Sequence, residues 1–328
     1  MKYRTLGKTG FNISEIGLGT WQVGGKWGEK FNSETAHKIL NKAIDEGINF
    51  IDTADVYNSG WSEFAIGKLL RSRSERIYVA TKCGRLLNPH VNEAYQPDIL
   101  RRFVEDSLKR LKLEVIDIIQ LHCPPAQVYH RPEIFELFDR LKDEGKILNM
   151  GVSVEKVEEA LKAIEYGNVA TVQIIFNMFR QRPSEIFFKE AALRNVGIIV
   201  RVPLASGLLT GTFNKNTTFN EGDHRSFNRN GDYFDKGETF SGVDYETGLK
   251  AVEELKAIFP KFINLAPVAL KWILMHKEVN CIIPGASDVA QVDSNLKALE
   301  MPDLTAEEMA KIKEIYDRTI KKLVQYLW

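Results

Sequence analysis

Gly47-Ile48-Asn49-Phe50-Ile51-Asp52-Thr53-Ala54-Asp55-Val56-Tyr57 reads as a short buried strand running into a polar loop. Ile48–Ile51 is an apolar run behind a glycine, long enough for a parallel strand covered on both faces. Asp52 stands where that strand ends, and Tyr57 follows in the loop. Ser62 is placed to cap the next helix, whose Phe64, Ile66, Leu69 and Leu70 supply an apolar face. A carboxylate and a phenol thus fall at the carboxyl end of a strand, where α/β proteins build their sites. Taken singly, Asp52 also fits a loop carboxylate bonded to amides and Tyr57 a half-buried loop aromatic.

The pattern repeats outward from this stretch. Strands are expected at Ile16–Thr20, Ile48–Ile51, Ile77–Thr81, Val115–Leu121, Ile147–Val152, Thr171–Phe176, Gly197–Val202 and Asn280–Ile283. Helical periodicity fills Glu34–Glu46, Ser62–Leu70, Pro97–Leu111, Pro132–Glu144, Val154–Tyr166, Glu185–Arg194, Leu265–His276 and Val289–Leu299. Eight such units at this length predict a closed (β/α)8 TIM barrel, forming one domain over 1–328. The rival, a doubly wound sheet, lacks its fingerprint: Gly17-Leu18-Gly19-Thr20-Trp21-Gln22 has Gln where the third glycine belongs. Three additions frame the barrel. Tyr3–Ser14 reads as an N-terminal β-hairpin turning at Gly7-Lys8-Thr9-Gly10. Gly207–Tyr245, a long loop after strand seven rich in Phe, is expected to be a lid. A C-terminal helix spans Ala306–Val324, opened by the capping box Thr305-Ala306-Glu307-Glu308.

Lys+Arg and Asp+Glu are both 44, so the chain is formally neutral. Nucleic acid and anionic membranes are therefore not expected partners. No segment approaches the ~20 apolar residues of a membrane span. The start lacks an apolar signal core, and three scattered cysteines (Cys83, Cys123, Cys281) fit a reducing compartment, so a cytoplasmic location is expected.

Two further polar residues follow apolar strands, Lys82 after strand three and His122 after strand four. Each alone fits a strand-end lysine or a core histidine. Together with Asp52 and Tyr57 they fall at the carboxyl ends of three successive strands, where a barrel makes its catalytic face. The group makes chemical sense: a lysinium favours phenolate and so lowers a phenol's pKa, and Asp52 holds the lysine. A neutral histidine orients a carbonyl oxygen beside the phenol, giving a general acid aimed at a developing alkoxide. A metal at His122/Cys123 is not expected, because no second His or Cys stands at ligand spacing.

Asp52-Thr53-Ala54-Asp55-Val56-Tyr57, Ala80-Thr81-Lys82, Leu121-His122-Cys123-Pro124 and Ile283-Pro284-Gly285-Ala286 resemble the motifs of the aldo-keto reductase superfamily, in the family's order. The resemblance implies a barrel that binds NADPH and reduces a small aldehyde or ketone. Tyr57 would be the general acid, Lys82 and Asp52 would tune it, and His122 would orient the carbonyl. For the cofactor it implies Gly19, Thr20, Trp21 and Asp52 at the nicotinamide end, with Ser153 and Gln173 on the carboxamide. Pro203, Leu204, Ser206, Gly207 and Leu209 would line the pyrophosphate, and Gly285, Ser287, Gln291 and Asn295 the adenosine. Three departures are specific to this chain, the first being Val154, where the family often has Asn after the carboxamide serine. Arg201 stands where an aromatic usually stacks on nicotinamide; its charge would disfavour the oxidised ring, which predicts a bias toward reduced cofactor. Gln291 replaces a frequent cation, and Asp288 precedes it, so NADH is the alternative to NADPH; Lys215 or Arg225 from the long loop would compensate. Asp288 and Gln291 also fit a plain capping pair. Trp21, Tyr57, Phe219, Phe227, Tyr233, Phe234 and Trp328 are candidates for an aromatic pocket. The superfamily also includes cofactor-sensing subunits of ion channels, the second functional reading. A hydrolase or isomerase barrel using Asp52 or Asp55 is a third. Substrate identity and oligomeric state are not encoded in these motifs.

Overall fold

The computed structural model describes residues 1–25 and 30–327. Two strands, β1 (Tyr3–Thr5) and β2 (Asn12–Ser14), pair antiparallel as the expected hairpin. Eight parallel strands follow: β3 (Leu18–Gly19), β4 (Phe50–Asp52), β5 (Tyr78–Cys83), β6 (Ile116–His122), β7 (Ile147–Ser153), β8 (Val169–Ile175), β9 (Gly197–Arg201) and β10 (Val279–Ile282). They pair in chain order, and parallel bridges Ile16–Ile282 and Gly19–Gly285 join the last strand to the first. The (β/α)8 barrel is thereby closed, as the alternation predicted. The expected strand from Ile16 shortens to a bridge and two residues, because Gly17 and Gly19 press their backbones against Phe50 and Ile283.

Inward positions two residues apart along each strand share a face. The lower ones are apolar: Phe50, Ala80, Ile118, Ile199 and Cys281 pack with Leu6 and Ile13 of the hairpin. The hairpin therefore plugs the base. Its turn meets β9 so closely that a Cβ on Gly7 would lie 2.3 Å from the Gly197 nitrogen. One step higher on the same faces stand Asp52, Lys82, Gln120, Gln173 and Arg201, all buried. A polar layer thus rests on an apolar one. Gly151 opens room for it, since a Cβ there would strike the Thr171 hydroxyl and approach the Gln120 side chain.

Most predicted helices are present, and two are shorter: Val157–Ala163 and Phe187–Leu193. The helix after β4 starts at Trp61, one residue earlier than expected. Gly60, at φ 86°, takes the cap position that was assigned to Ser62. Ser62 instead bonds Thr20 Oγ1 at 2.8 Å and Thr53 Oγ1 at 3.0 Å, lacing the ends of β3 and β4 together. A further helix, Tyr245–Ile258, was not foreseen. Its signal was present in Leu249, Val252, Leu255 and Ile258 behind the capping Asp244. The C-terminal helix has its Thr305–Glu308 capping box and widens into a π turn at Tyr316–Ile320. No described helix is long and apolar enough to cross a membrane.

The long connection after β9 is built from short turns. Asn177 Nδ2 donates to Ser241 Oγ (2.8 Å) and to the Val202 carbonyl (2.9 Å). Ser206 Oγ donates to the Glu238 carbonyl at 2.8 Å, and buried Asn228 accepts from the Tyr233 and Phe234 amides. His224 and Phe234 lean on Trp21 at ring separations of 5.9 and 6.3 Å. The loop therefore covers the barrel mouth from one side.

Candidate active site

β4 ends at Asp52 and β5 carries Lys82 inward beside it. Lys82 Nζ lies 2.6 Å from Asp52 Oδ1, 2.8 Å from the Thr53 carbonyl and 3.2 Å from the Tyr57 hydroxyl. Lys82 is fully buried and Asp52 nearly so. The other Asp52 oxygen accepts from Gln173 Nε2 at 2.6 Å and Gln120 Nε2 at 3.3 Å. His122, at the end of β6, packs edge-on to the Tyr57 ring at 6.0 Å, and Trp21 approaches the same ring at 5.5 Å. Four side chains far apart in sequence thus meet at the mouth.

Their protonation follows from these neighbours. Burial pulls Lys82 down, but Asp52 and Tyr57 more than offset it, so its pKa is raised and it is a cation. Burial raises the Tyr57 phenol, opposed by Lys82 and reinforced by Asp52, and the net shift is upward. The expected lowering by the lysine is outweighed by desolvation and by the aspartate behind it. Burial, then Lys82, Arg85 and Arg201, hold His122 far below the ordinary range, so the imidazole is neutral. Its Nδ1 is buried without a protein partner among the described residues.

The tetrad opens into a cavity of about 1310 Å³, beyond the ~300–1,000 Å³ of ordinary ligand pockets and suited to an extended ligand. Asp52, Tyr57 and His122 line it, as do Gly19, Thr20, Trp21, Ser153, Gln173, Arg201, Pro203, Leu204, Ser206, Gly207, Gly285, Gln291 and Asn295. Leu209 is buried in the core and Ser287 lies off the lining. Gly207 keeps the backbone open, since its φ of +93° strains any side chain and a Cβ would press Phe213 at 2.9 Å. At the far end Asp288 accepts from the Gln291 amide (2.8 Å), and Gln291 Oε1 accepts from the Ser287 amide (2.9 Å). The capping arrangement is therefore present, and it occupies the helix start. Of the aromatic candidates, Trp21, Tyr57, Phe227, Tyr233 and Phe234 line the cavity. Phe219 packs instead with Phe213, Phe240 and Tyr245, and Trp328 lies outside the described residues.

Arg201 is buried, paired with Glu238 of the long loop, and donates to the Val154 carbonyl at 2.8 Å. Glu238 offsets the charge on which a bias toward reduced cofactor would rest. Glu238 and Glu155 also approach Cys123; Arg201 pairs tightly with Glu238, while Arg85 stands 3.6 Å from Glu155. Sequence reasoning missed Gln120 and Glu238. The first was visible as the inward polar residue of an apolar strand, the second comes from a loop with no periodicity.

Asp55 also lines the cavity, with both carboxyl oxygens buried and unpartnered among the described residues. Burial and then Glu63 push its pKa from 3.8 to about 7. The unfolded chain releases that proton at lower pH than the folded one, so this group's stabilising contribution declines as pH rises from about 4 to 7. Asp55→Asn is therefore expected to gain ~1–3 kcal/mol on the native protein at pH 8, and much less at pH 5. Thermal melts at both pH values check this; an equal gap at the two would clear Asp55.

A sequence model described as the Aldo/keto reductase family matches residues 15–317. The NADH-specific methylglyoxal reductase of Escherichia coli (strain K12) is 30% identical, covering 97% of this chain and 100% of that protein. A putative voltage-gated potassium channel subunit beta of Schizosaccharomyces pombe is 31% identical, with 97% and 94% covered. The solved holo form of an aldo-keto reductase from Bacillus halodurans superposes with a TM-score of 0.76 at 29% identity, covering 96% of each chain.

Proposed function

The chain belongs to the aldo/keto reductase family, and from that premise we propose that it reduces an aldehyde or ketone with a nicotinamide dinucleotide, NADPH ahead of NADH. The observation that carries this is Lys82 Nζ held between Asp52 and the Tyr57 hydroxyl at the floor of a cavity that also holds His122. The cavity's volume, its glycine-opened wall at Gly207 and the Ser153 hydroxyl and Gln173 amide pair fit such a cofactor. When bound, the reduced nicotinamide supplies a hydride to the carbonyl carbon. Tyr57 gives its proton to the carbonyl oxygen, and the electron pair left on the phenol is met by Lys82. The phenol does not need a low pKa for this, because an alkoxide is far more basic than a phenolate near ~10. Neutral His122 can position the oxygen without competing for the charge. A panel of carbonyl compounds assayed with NADPH and with NADH tests the proposal, and no oxidation of either cofactor with any of them would sink it.

The NADPH preference rests on Arg225, which lines the cavity beside Ser206 and Gly207 and is clamped by Asp223 through contacts of 2.9 and 2.6 Å. Lys215, the other candidate, is exposed and off the lining. Arg225→Ala is expected to lower the ratio of NADPH to NADH affinity about tenfold, the worth of one charge-assisted contact. Fluorescence titration reads it; an unchanged ratio would leave the 2′-phosphate without its ligand. The channel-subunit reading keeps the same tetrad as a cofactor sensor. Steady turnover of any carbonyl in the panel separates an enzyme from it.

A further inference from the structure

Resting on the reductase reading, the geometry points to a substrate that carries a carboxylate as well as its carbonyl, and we infer that Arg85 is the residue that recognises it. Arg85 directly follows β5 and Gly84, and it lines the same cavity as Tyr57 and His122. The other cavity-lining cations are already engaged. Arg110 bonds Glu63 at 2.6 Å, Arg201 pairs with Glu238, and Arg225, held by Asp223, is the cation already assigned to the cofactor phosphate. Lys82 lies behind the lining, fully buried and held by Asp52. Arg85 differs: its ion pair, to Glu155, is 3.6 Å long, outside hydrogen-bond range, and its side chain is a quarter exposed.

A guanidinium beside the reacting centre with its planar fork unspent is matched by a carboxylate, which it binds through two parallel N–H bonds. The charge nearby decides the class. Glu155 and Glu238 lie close enough to act on Arg85's surroundings, and they repel a dianionic phosphate about twice as strongly as a monoanionic carboxylate. A monoanionic carboxylate needs only the one fork. Trp21, Phe227 and Phe234 line the same cavity and offer apolar surface to a short carbon chain. The structure therefore assigns discrimination to charge at the far end of a short substrate, with the reduction step itself unaltered.

The test compares kcat/KM of the full chain for 4-oxobutanoate with butanal, and for 5-oxopentanoate with pentanal, using saturating reduced cofactor. The native protein is expected to favour the acid of each pair by about ten- to a hundredfold, the value of a charge-assisted hydrogen bond. Arg85→Met is expected to bring that ratio close to one, and Arg85→Lys to leave it intermediate, since the charge stays but the fork is lost. Calorimetric binding of succinate, an unreactive dicarboxylate, gives a readout independent of turnover and is expected for the native protein but not for Arg85→Met. Should the Met variant not fold, Arg85→Gln takes its place. A native ratio near one with both aldehydes reduced would overturn the inference while leaving the reductase reading standing. So would a ratio that survives in Arg85→Met, or a preference for glyceraldehyde 3-phosphate over the oxo acids. Failure to reduce any of the aldehydes would instead remove the reductase reading, and this inference with it.

Discussion

Tyr57→Phe is expected to lower kcat about a thousandfold while KM moves little. In the proposed reaction the phenol donates the proton, and a positioned acid is worth roughly 10²–10⁴ in rate. Its hydroxyl accepts from Lys82 at 3.2 Å, the longest of that ammonium's three contacts. Removing it leaves Lys82 with Asp52 and the Thr53 carbonyl, so the fold should lose less than ~1 kcal/mol. A fall in kcat and kcat/KM together, at unchanged melting temperature and cofactor affinity, is the signature of an interaction made only in the transition state. Turnover equal to the native rate would remove Tyr57 from the role.

Lys82→Met should damage both the fold and the chemistry. Asp52 would keep Gln173 and Gln120 as donors but lose its countercharge at a nearly buried position. Breaking one side of such a pair costs ~3–5 kcal/mol, because the remaining charge is stranded. The phenolate left by proton transfer would lose its cation too, so kcat should fall at least about a hundredfold. Lys82 pulls the phenol's pKa down against burial. Its loss therefore moves the alkaline limb of the pH–rate profile to higher pH, since the acid must be protonated to act. Pairing the change with Asp52→Asn discriminates the two effects. The double variant is expected to recover most of the stability and none of the activity. Recovered activity would mean that the lysine's charge is not used.

Much of the architecture was legible because it follows from periodicity. Eight apolar runs ending in polar residues sufficed for the barrel, and Asp52, Lys82 and His122 were readable as polar residues at strand ends. Their convergence on Tyr57 was readable only because a barrel gathers those ends on one face. The parts that were not legible depend on contacts between distant segments. Nothing local to Glu238 says that it meets Arg201, and nothing near Ser62 says that Gly60 will take its cap. The sign of the Tyr57 shift was misjudged for the same reason. Sequence shows that a lysine is near, but only packing shows how dry the phenol is. The helix at Tyr245–Ile258, by contrast, carries its apolar spacing in the local sequence.

Leu6 and Ile13 stop the base of the barrel with hydrocarbon. Solvent can then wet the Asp52–Lys82 pair from above alone, through the same opening that ligands use. Local permittivity around the ammonium is consequently a function of occupancy: a ligand filling the mouth would displace solvent above the pair, and the field the ammonium projects on the phenol oxygen would strengthen. A seal at one end of the molecule would thus make the charge beside the phenol strongest only when the mouth is filled.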